Sequence, residues 1–299
     1  MVWDDPPHAL VEGVLTYLTR QDVAFRTSVL NQSWYKHSLV CLYKVIPPFN
    51  SALQLSRACQ TMIAHPEQIA RAVLEISIVH TMRDIDKERT LYYTVRTALA
   101  LCINLETLYL HTDPSVARIM LGPCTFRLKT FSIRDHTEDL PKLFLSHQDR
   151  LEELVIVRGA TVPLCLPKNA LPSLVRFSGI PENAIRISQG RCLTTLRILP
   201  GPNLLNLSDT LSRLDSLTMS SLTEFHVLVT GSVLHHVTIL AQFLPRLTAL
   251  VVRYSQREVL VRLSPCFFSQ FCLAYWNSLE RLGLCCQHLT TSASTLCSR

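Results

Sequence analysis

The side chains of this chain that could do chemistry include eleven cysteines and eleven histidines, but their spacing matches no metal-binding signature. There is no CxxC pair and no Cys/His tetrad at zinc spacing, and the only adjacent cysteines are Cys285 and Cys286. His235 and His236 fall on a predicted helix, where adjacent side chains diverge by about 100° and cannot easily share a metal. We therefore expect no metal site. The cysteines are typical of buried or half-buried thiols in a reducing compartment.

Signatures of nucleophilic and phosphate chemistry are also missing from the sequence. It contains no G-x-S-x-G, no G-x-x-x-x-G-K-[ST], no G-x-G-x-x-G and no H-E-x-x-H. Only eight glycines occur, which leaves little for a phosphate-binding loop. The sequence thus predicts no catalytic residue, no cofactor and no enzyme activity.

The charge and hydropathy of the sequence limit the kinds of partner that we expect the protein to bind. The formal net charge is +6, but only 17% of the residues are charged and no run of Lys or Arg exceeds a pair. Such a diffuse excess does not favour nucleic-acid binding. The acidic start, Met1 to Pro7, lacks the basic and apolar regions of a signal peptide, and no stretch of about 20 uninterrupted apolar residues occurs. We expect a soluble protein of the cytoplasm or nucleus that does not bind membranes.

One apolar pattern, L-x-x-L-x-L, organises most of the chain. Its first positions lie 32, 23, 23, 23, 19, 29, 25 and 32 residues apart, and three identical steps indicate a structural repeat. About nine copies occur, the one at Leu174 being weak: Val73/Ile76/Ile78, Leu105/Leu108/Leu110, Leu128/Phe131/Ile133, Leu151/Leu154/Ile156, Leu174/Phe177, Leu193/Leu196/Ile198, Leu222/Phe225/Val227, Leu247/Leu250/Val252 and Leu279/Leu282/Leu284.

Each copy predicts a short strand with one buried face. In the second copy Leu108 and Leu110 alternate with Thr107, Tyr109 and His111, as in a strand that is open on one side. One repeat cannot fold alone, because a buried apolar side chain contributes roughly 1.5–3 kcal/mol while ordering costs about 1–2 kcal/mol per residue. Stacked copies would bury one another and form a solenoid with a parallel sheet on its inner surface.

These units resemble leucine-rich repeats, which implies an α/β solenoid of parallel strands with helices outside. The sequence departs from the standard repeat where Asn or Cys normally follows the strand: the residues there are Asp113, His136, Gly159, Ser255 and Gln287. Curvature and regularity are therefore open. An ordinary α/β domain is the alternative.

Three short helices are predicted before the repeats. Asp4 or Asp5 can cap the first, Asp22 the second, and Asn31-Gln-Ser-Trp34 opens a third that runs to Leu42-Tyr43. The segment resembles an F-box through Pro7, Leu10, Val14, Leu18, Val23, Val29 and Trp34. Pro6 stands where that family usually has Leu, and Gly13 lies inside the first helix at a cost of about 1 kcal/mol against Ala. Alternatively, these helices only cap the solenoid.

The predicted organisation has four parts. Residues 1–48 form the F-box-like helices, 49–72 a helical linker, 73–286 the leucine-rich-repeat-like solenoid and 287–299 a tail expected to be disordered. Helices are predicted over 50–64, 86–102, 113–122, 138–147, 205–217, 232–243 and 267–276.

The residues between the leucines should form the concave binding surface. Candidate target-binding residues there are Tyr109, Arg134, Arg197 and Arg253, because aromatic and arginine side chains are common anchors of protein partners. As a single side chain, each is also compatible with an ordinary solvated sheet residue. RNA binding through the concave arginines is a further alternative, which a steep salt dependence would reveal.

The F-box resemblance implies a substrate receptor of a Skp–cullin–F-box ubiquitin ligase. Its F-box would dock the Skp adaptor, and through it the cullin, by Pro7, Leu10, Val14, Leu18 and Val23, with Trp34 in support. The repeats would hold a target protein. The competing hypothesis is a repeat scaffold that binds proteins outside ubiquitination.

Overall fold

The structure is a computed structural model that describes residues 32–49, 51–79, 85–122, 124–135, 140, 144–157, 164–167, 169–199, 207–228, 244, 246–254 and 257–262. The chain divides into two compact units, Met1–Leu174 (unit 1) and Val175–Arg299 (unit 2).

Unit 1 alternates helices with short parallel strands. Its described elements are α1 (Gln32–Lys44), β1 (Val45–Ile46), α2 (Ala52–Ala64), a 3-10 turn (Ala70–Ala72), β2 (Glu75–Val79), α3 (Ile85–Leu101), β3 (Thr107–His111), α4 (Pro114–Leu121), β4 (Thr130–Ile133), a second 3-10 turn (Leu145–His147) and β5 (Glu153–Ile156). The strands pair side by side in chain order, all parallel.

Unit 2 repeats the arrangement with a different ending. Its described elements are β6 (Arg176–Gly179), α5 (Pro181–Ser188), β7 (Thr195–Ile198), α6 (Leu207–Ser212), α7 (Ser216–Ser221), β8 (Glu224–Leu228), β9 (Ala249–Tyr254) and β10 (Arg257–Arg262). Strands β6 to β9 are parallel, and β10 turns back antiparallel to β9. The predicted α/β class with parallel strands is confirmed in both units.

The repeat fixes the strand register. Equivalent positions of successive copies pair directly, as Ile76, Leu108, Phe131 and Leu154 do across β2 to β5. Every leucine-pattern residue that the structure describes with its side chain, from Val73 to Leu250, is nearly fully buried. Burial of these stacked side chains is the main stabilising contribution to each unit.

Backbone hydrogen bonds lock the strand entries of unit 1. The Glu106 carbonyl accepts from Lys129 N at 2.7 Å and from Thr130 N at 3.0 Å. In the same way, the Leu74 carbonyl accepts two hydrogen bonds from the entry to β3, and the Lys129 carbonyl accepts two from the entry to β5. Glu106 and Lys129 also form a 2.9 Å ion pair at this point. Each repeat is thereby joined to the next before its strand begins.

Threonine hydroxyls strengthen the same junction in unit 2. The Thr194 carbonyl accepts from Thr223 N at 2.9 Å, and Thr223 Oγ1 donates to it at 3.2 Å. Thr248 Oγ1 donates to the Thr223 carbonyl at 3.0 Å. These hydroxyls cross-link consecutive repeats in a chain whose pattern offers no Asn or Cys for that task.

The weak copy at Leu174 has a steric explanation. Its third apolar position is Gly179, and a Cβ built there would lie 2.6 Å from Cζ of Phe177. The Phe177 ring is fully buried, so a side chain at position 179 would force this ring to shift within the core. Glycine avoids that clash.

Several predicted helices are confirmed, and one needs correction. Helices α1, α3 and α4 lie where the pattern placed them, and Asp113 caps α4 as predicted, its Oδ1 accepting from Ser115 N at 3.0 Å. The single helix predicted over 205–217 is wrong within the described residues: the chain breaks between α6 and α7, because Asp215 Oδ1 accepts from Leu217 N at 2.9 Å and caps α7. Within the helix predicted over 138–147, Leu140 is helical, and the described end of the segment is the 3-10 turn Leu145–His147.

Helix α2 buries one stripe of residues. Leu55, Cys59 and Met62 are buried, whereas Leu53 is 60% exposed. The helix packs against α3, so residues at spacings of four and three, beginning at Leu55, face the core.

Three elements were missed. The two-residue strand β1 continues directly from α1, and the Lys44 carbonyl accepts from Leu74 N at 2.9 Å. Helix α5 begins at Pro181, and β10 closes the described part of unit 2. The predicted helices over 232–243 and 267–276 and the repeat at Leu279 lie outside the described residues.

Candidate binding surface

The residues between the leucines share one face of the unit 1 sheet, called here the open face. Strand pleating turns alternate side chains to opposite sides, so the described members are Glu75, Ser77, Val79, Thr107, Tyr109, His111, Thr130, Ser132, Arg134, Glu153, Val155 and Val157. Two predicted target-binding residues, Tyr109 and Arg134, lie on this face.

Tyr109 is half-buried at the middle of β3, in register with Ser77 on β2 and Ser132 on β4. Burial raises the pKa of its phenol, and the carboxylates of Glu75 and Glu153 raise it further. Negative charge at Tyr109 is thus disfavoured. An acidic partner group would meet repulsion at this point of the face.

His111 and Arg134 lie at the other end of the strands. His111 Nε2 lies 2.9 Å from the hydroxyl of Ser132, which is only 4% exposed. Burial lowers the pKa of His111, and the nearby Arg134 guanidinium lowers it further. At neutral pH, positive charge at this end therefore comes from Arg134.

Unit 2 has an open face of its own, with Arg176, Thr195, Arg197, Glu224 and His226. His226 Nε2 lies 2.6 Å from Glu224 Oε1, and Glu224 Oε2 accepts from Thr195 Oγ1 at 3.3 Å. His226 Nδ1 is buried without a hydrogen-bond partner among the described residues. Arg197, a predicted target-binding residue, is exposed and pairs in register with His226.

The remaining predicted site residues are less fully described. Arg253 lies on β9 at the register position opposite Glu258 of β10, and its side chain is outside the described part of the chain. Trp34 lies within α1, and its side chain is also outside. The other predicted adaptor contacts, Pro7, Leu10, Val14, Leu18 and Val23, lie outside the described residues.

The structure adds residues that the sequence interpretation overlooked. Glu75, Ser77 and Val79 belong to the open face, although none of them was among the candidate target-binding residues. The signal was present: these residues alternate with Ile76 and Ile78 as Thr107 and His111 do in the next copy. Glu75 matters most, because it sets the charge beside Tyr109.

Five of the six described thiols fall into two groups, and the sixth, Cys41, is half-buried. Cys59 and Cys102 are buried and Cys124 is half-buried, and burial raises the pKa of each to about 12. Cys102 Sγ also lies 3.8 Å from Met62 Sδ. Cys165 and Cys192 are exposed, so the expectation that the thiols are buried or half-buried is wrong for these two.

Among the described residues, no group of three or more His, Cys, Asp or Glu side chains could hold a metal ion. No helix in that part of the chain has the length and apolar character needed to cross a membrane. The sequence matches no protein-family model and no curated protein. The F-box and leucine-rich-repeat resemblances therefore stay predictions.

Proposed function

We propose that this chain is a substrate-recognition subunit of a Skp–cullin–F-box ubiquitin ligase, with repeats that stack as a leucine-rich-repeat-like solenoid. The observation that carries the proposal is the constant register of the repeats. It directs aromatic and charged side chains to one face of each sheet while the leucines are buried behind them. A broad surface built this way is how repeat proteins usually bind other proteins.

The N-terminal helices would supply the second contact. Helix α1 lies where the sequence predicts the third N-terminal helix, which supports the proposal, and it passes without a loop into β1. A segment docked on a Skp adaptor through Leu10, Leu18 and their neighbours would then be tied to the sheet of unit 1 by the Lys44–Leu74 hydrogen bond.

The role we assign to the chain is proximity, not bond chemistry. Holding a target near the ubiquitin-charged enzyme converts an encounter in solution into a reaction within one complex, which raises the effective concentration of the two reactants. The target would be bound by the open faces, and the complex would act in the cytoplasm or nucleus.

The test is binding of the full chain to a purified Skp adaptor by calorimetry. We expect micromolar or tighter affinity, lost in Leu10→Asp and in Leu18→Asp. The matched control is Leu217→Asp, because Leu217 is 48% exposed on α7 and should tolerate the charge. Circular dichroism must show that all variants fold. A folded chain that does not bind the adaptor would overturn the ligase proposal and favour a scaffold outside ubiquitination.

A further inference from the structure

The open face of unit 1 carries opposite charges at its two ends. Glu75 and Glu153 lie at the first residues of β2 and β5, on the side where the strands begin. Arg134 directly follows β4, on the side where the strands end, and its backbone N–H continues the ladder to Leu110 O at 3.3 Å. At about 3.3 Å per residue, the two rows are separated by roughly 13 Å.

The acidic end is built around Tyr109. The residues beside it in the register, Ser77 and Ser132, are too short to cover its ring. Glu75 lies diagonally across the strand pair, because its register partner is Thr107, two residues before Tyr109. Among the described residues, none forms an ion pair with Glu75. An aromatic ring beside carboxylates attracts a Lys or Arg side chain by both cation–π and charge interactions.

The opposite end of the open face is suited to an acidic side chain of the partner. Arg134 is half-exposed, and no carboxylate in the described part of the chain forms an ion pair with it. Since His111 is kept neutral at physiological pH by burial and by Arg134, the guanidinium is the cation available there. Val79 and Val157, which are 44% and 40% exposed, flank this end and offer apolar contact.

We propose that the open face of unit 1 binds a protein segment that presents a Lys or Arg to Glu75, Tyr109 and Glu153 and an Asp or Glu to Arg134. In an extended segment the two charges would be about four residues apart. The inference rests on the proposed function of the repeats as the target-binding surface, and it names the chemistry of the target. A segment bound in the reverse direction would place like charges together at both ends, so the face also sets the orientation.

The experiment is selection of displayed random peptides, about a dozen residues long, on the immobilised full chain, followed by affinity measurement on the retained peptides. We expect them to pair a basic residue with an acidic one at a common spacing. Glu75→Gln and Arg134→Gln should each weaken the best peptide about tenfold, and Glu152→Gln, an exposed carboxylate outside the open face, should leave its affinity within about twofold.

A charge swap makes the test specific. Glu75→Lys should abolish binding of the selected peptide and restore it when the peptide's basic residue is changed to Glu. Unaltered urea midpoints would show that the variants fold. Retained peptides without the paired charges, no retained peptides, or equal affinity for Glu75→Gln and wild type would each overturn the inference. Adaptor binding by the same preparation tests the ligase role separately.

Discussion

The side chain of Gln148 forms hydrogen bonds with the backbone at Leu128 and at Phe126, on either side of Arg127. Its Oε1 accepts from Leu128 N at 2.8 Å, and its Nε2 donates to the Phe126 carbonyl at 3.2 Å. Gln148 is 1% exposed, so neither backbone group has water as an alternative partner. One buried amide therefore holds the entry to β4 against the turn that precedes β5.

Gln148→Leu should lower the free energy of unfolding by about 2–4 kcal/mol, since two buried backbone groups each lose a partner worth about 1–3 kcal/mol. Urea denaturation of the full chain measures this. Gln60→Leu, on an exposed position of α2, is the matched control and should stay within about 0.5 kcal/mol. Equal urea midpoints for the two variants would show that the hydrogen bonds of Gln148 do not stabilise the fold.

Gly179→Ala should destabilise unit 2, because the new methyl would lie 2.6 Å from the Phe177 ring. We expect a loss of about 1–3 kcal/mol, typical of overpacking. In the Gly179→Ala/Phe177→Leu double variant the loss should be smaller than the sum of the single losses, because the smaller side chain frees the space. Gly122→Ala, whose added Cβ meets no atom closer than 3.6 Å, is the control and should be almost silent. Additive losses in the double variant would refute the steric explanation.

The thiols should react in two classes. Cys165 and Cys192 are exposed and should be alkylated by iodoacetamide at pH 8. Cys59, Cys102 and Cys124, with pKa values raised to about 12, have almost no thiolate at that pH and should react only on unfolding. Mass spectrometry of digested, labelled protein separates the classes. Rapid labelling of Cys102 in the folded chain would contradict the burial described here.

Stability should also fall at alkaline pH. A thiol whose folded-state pKa is raised from 9.0 to about 12 contributes stability that is complete below pH 9 and is lost as the pH rises towards 12. The urea midpoint should therefore decrease over this interval. Replacing Cys59 and Cys102 by Ala should reduce the slope, although the substitutions lower stability at every pH. An unchanged slope would assign the effect to other groups.

His111 provides a test of the charge pattern on the open face. Its pKa should lie below 6.5, and Arg134→Gln should move it upward while leaving it below 6.5, because burial is the larger cause of the shift. Proton resonances of the imidazole followed by NMR between pH 4 and 8 give both values. The sign for stability follows: His111 resists protonation in the folded chain, so its contribution is present above pH 6.5 and is lost as the pH falls. If Arg134→Gln left the pKa of His111 unchanged, the result would contradict an electrostatic effect of Arg134 on His111.

Much of the fold could be predicted because one period governs it. Given L-x-x-L-x-L, the buried residues of β2 to β5 in unit 1 and of β6 to β8 in unit 2 follow from strand pleating, and the parallel pairing within each unit follows from stacking. Strand β1 was not predicted, because two residues are too few to show the alternating pattern of a strand. Helix α5 was not predicted, because Ile185 and Ile187 lie two residues apart and do not follow the spacing of three to four residues typical of a helix. Pro181 at its start was the one signal in favour of a helix. The break before α7 depends on one cap, Asp215, in a leucine-rich stretch.

The binding surface was less predictable than the fold. Tyr109 and Arg134 could be placed on the open face from alternation alone. Glu75 was not singled out, although the copy at Val73 directly precedes the copy at Leu105 and the register pairs Glu75 with Thr107. Gln148 lies in a turn, where no periodic pattern shows whether a side chain is buried and hydrogen-bonded to the backbone or exposed to solvent.

Simultaneous binding tests the central claim most directly, since a substrate receptor must hold adaptor and target together. The full chain, a purified Skp adaptor and the labelled peptide selected on the full chain would be sedimented together. We predict one complex containing all three, from which Leu10→Asp removes only the adaptor and Glu75→Gln only the peptide. Mutual exclusion of adaptor and peptide, or a chain that binds the peptide but never the adaptor, would contradict the assignment as a ubiquitin-ligase substrate receptor.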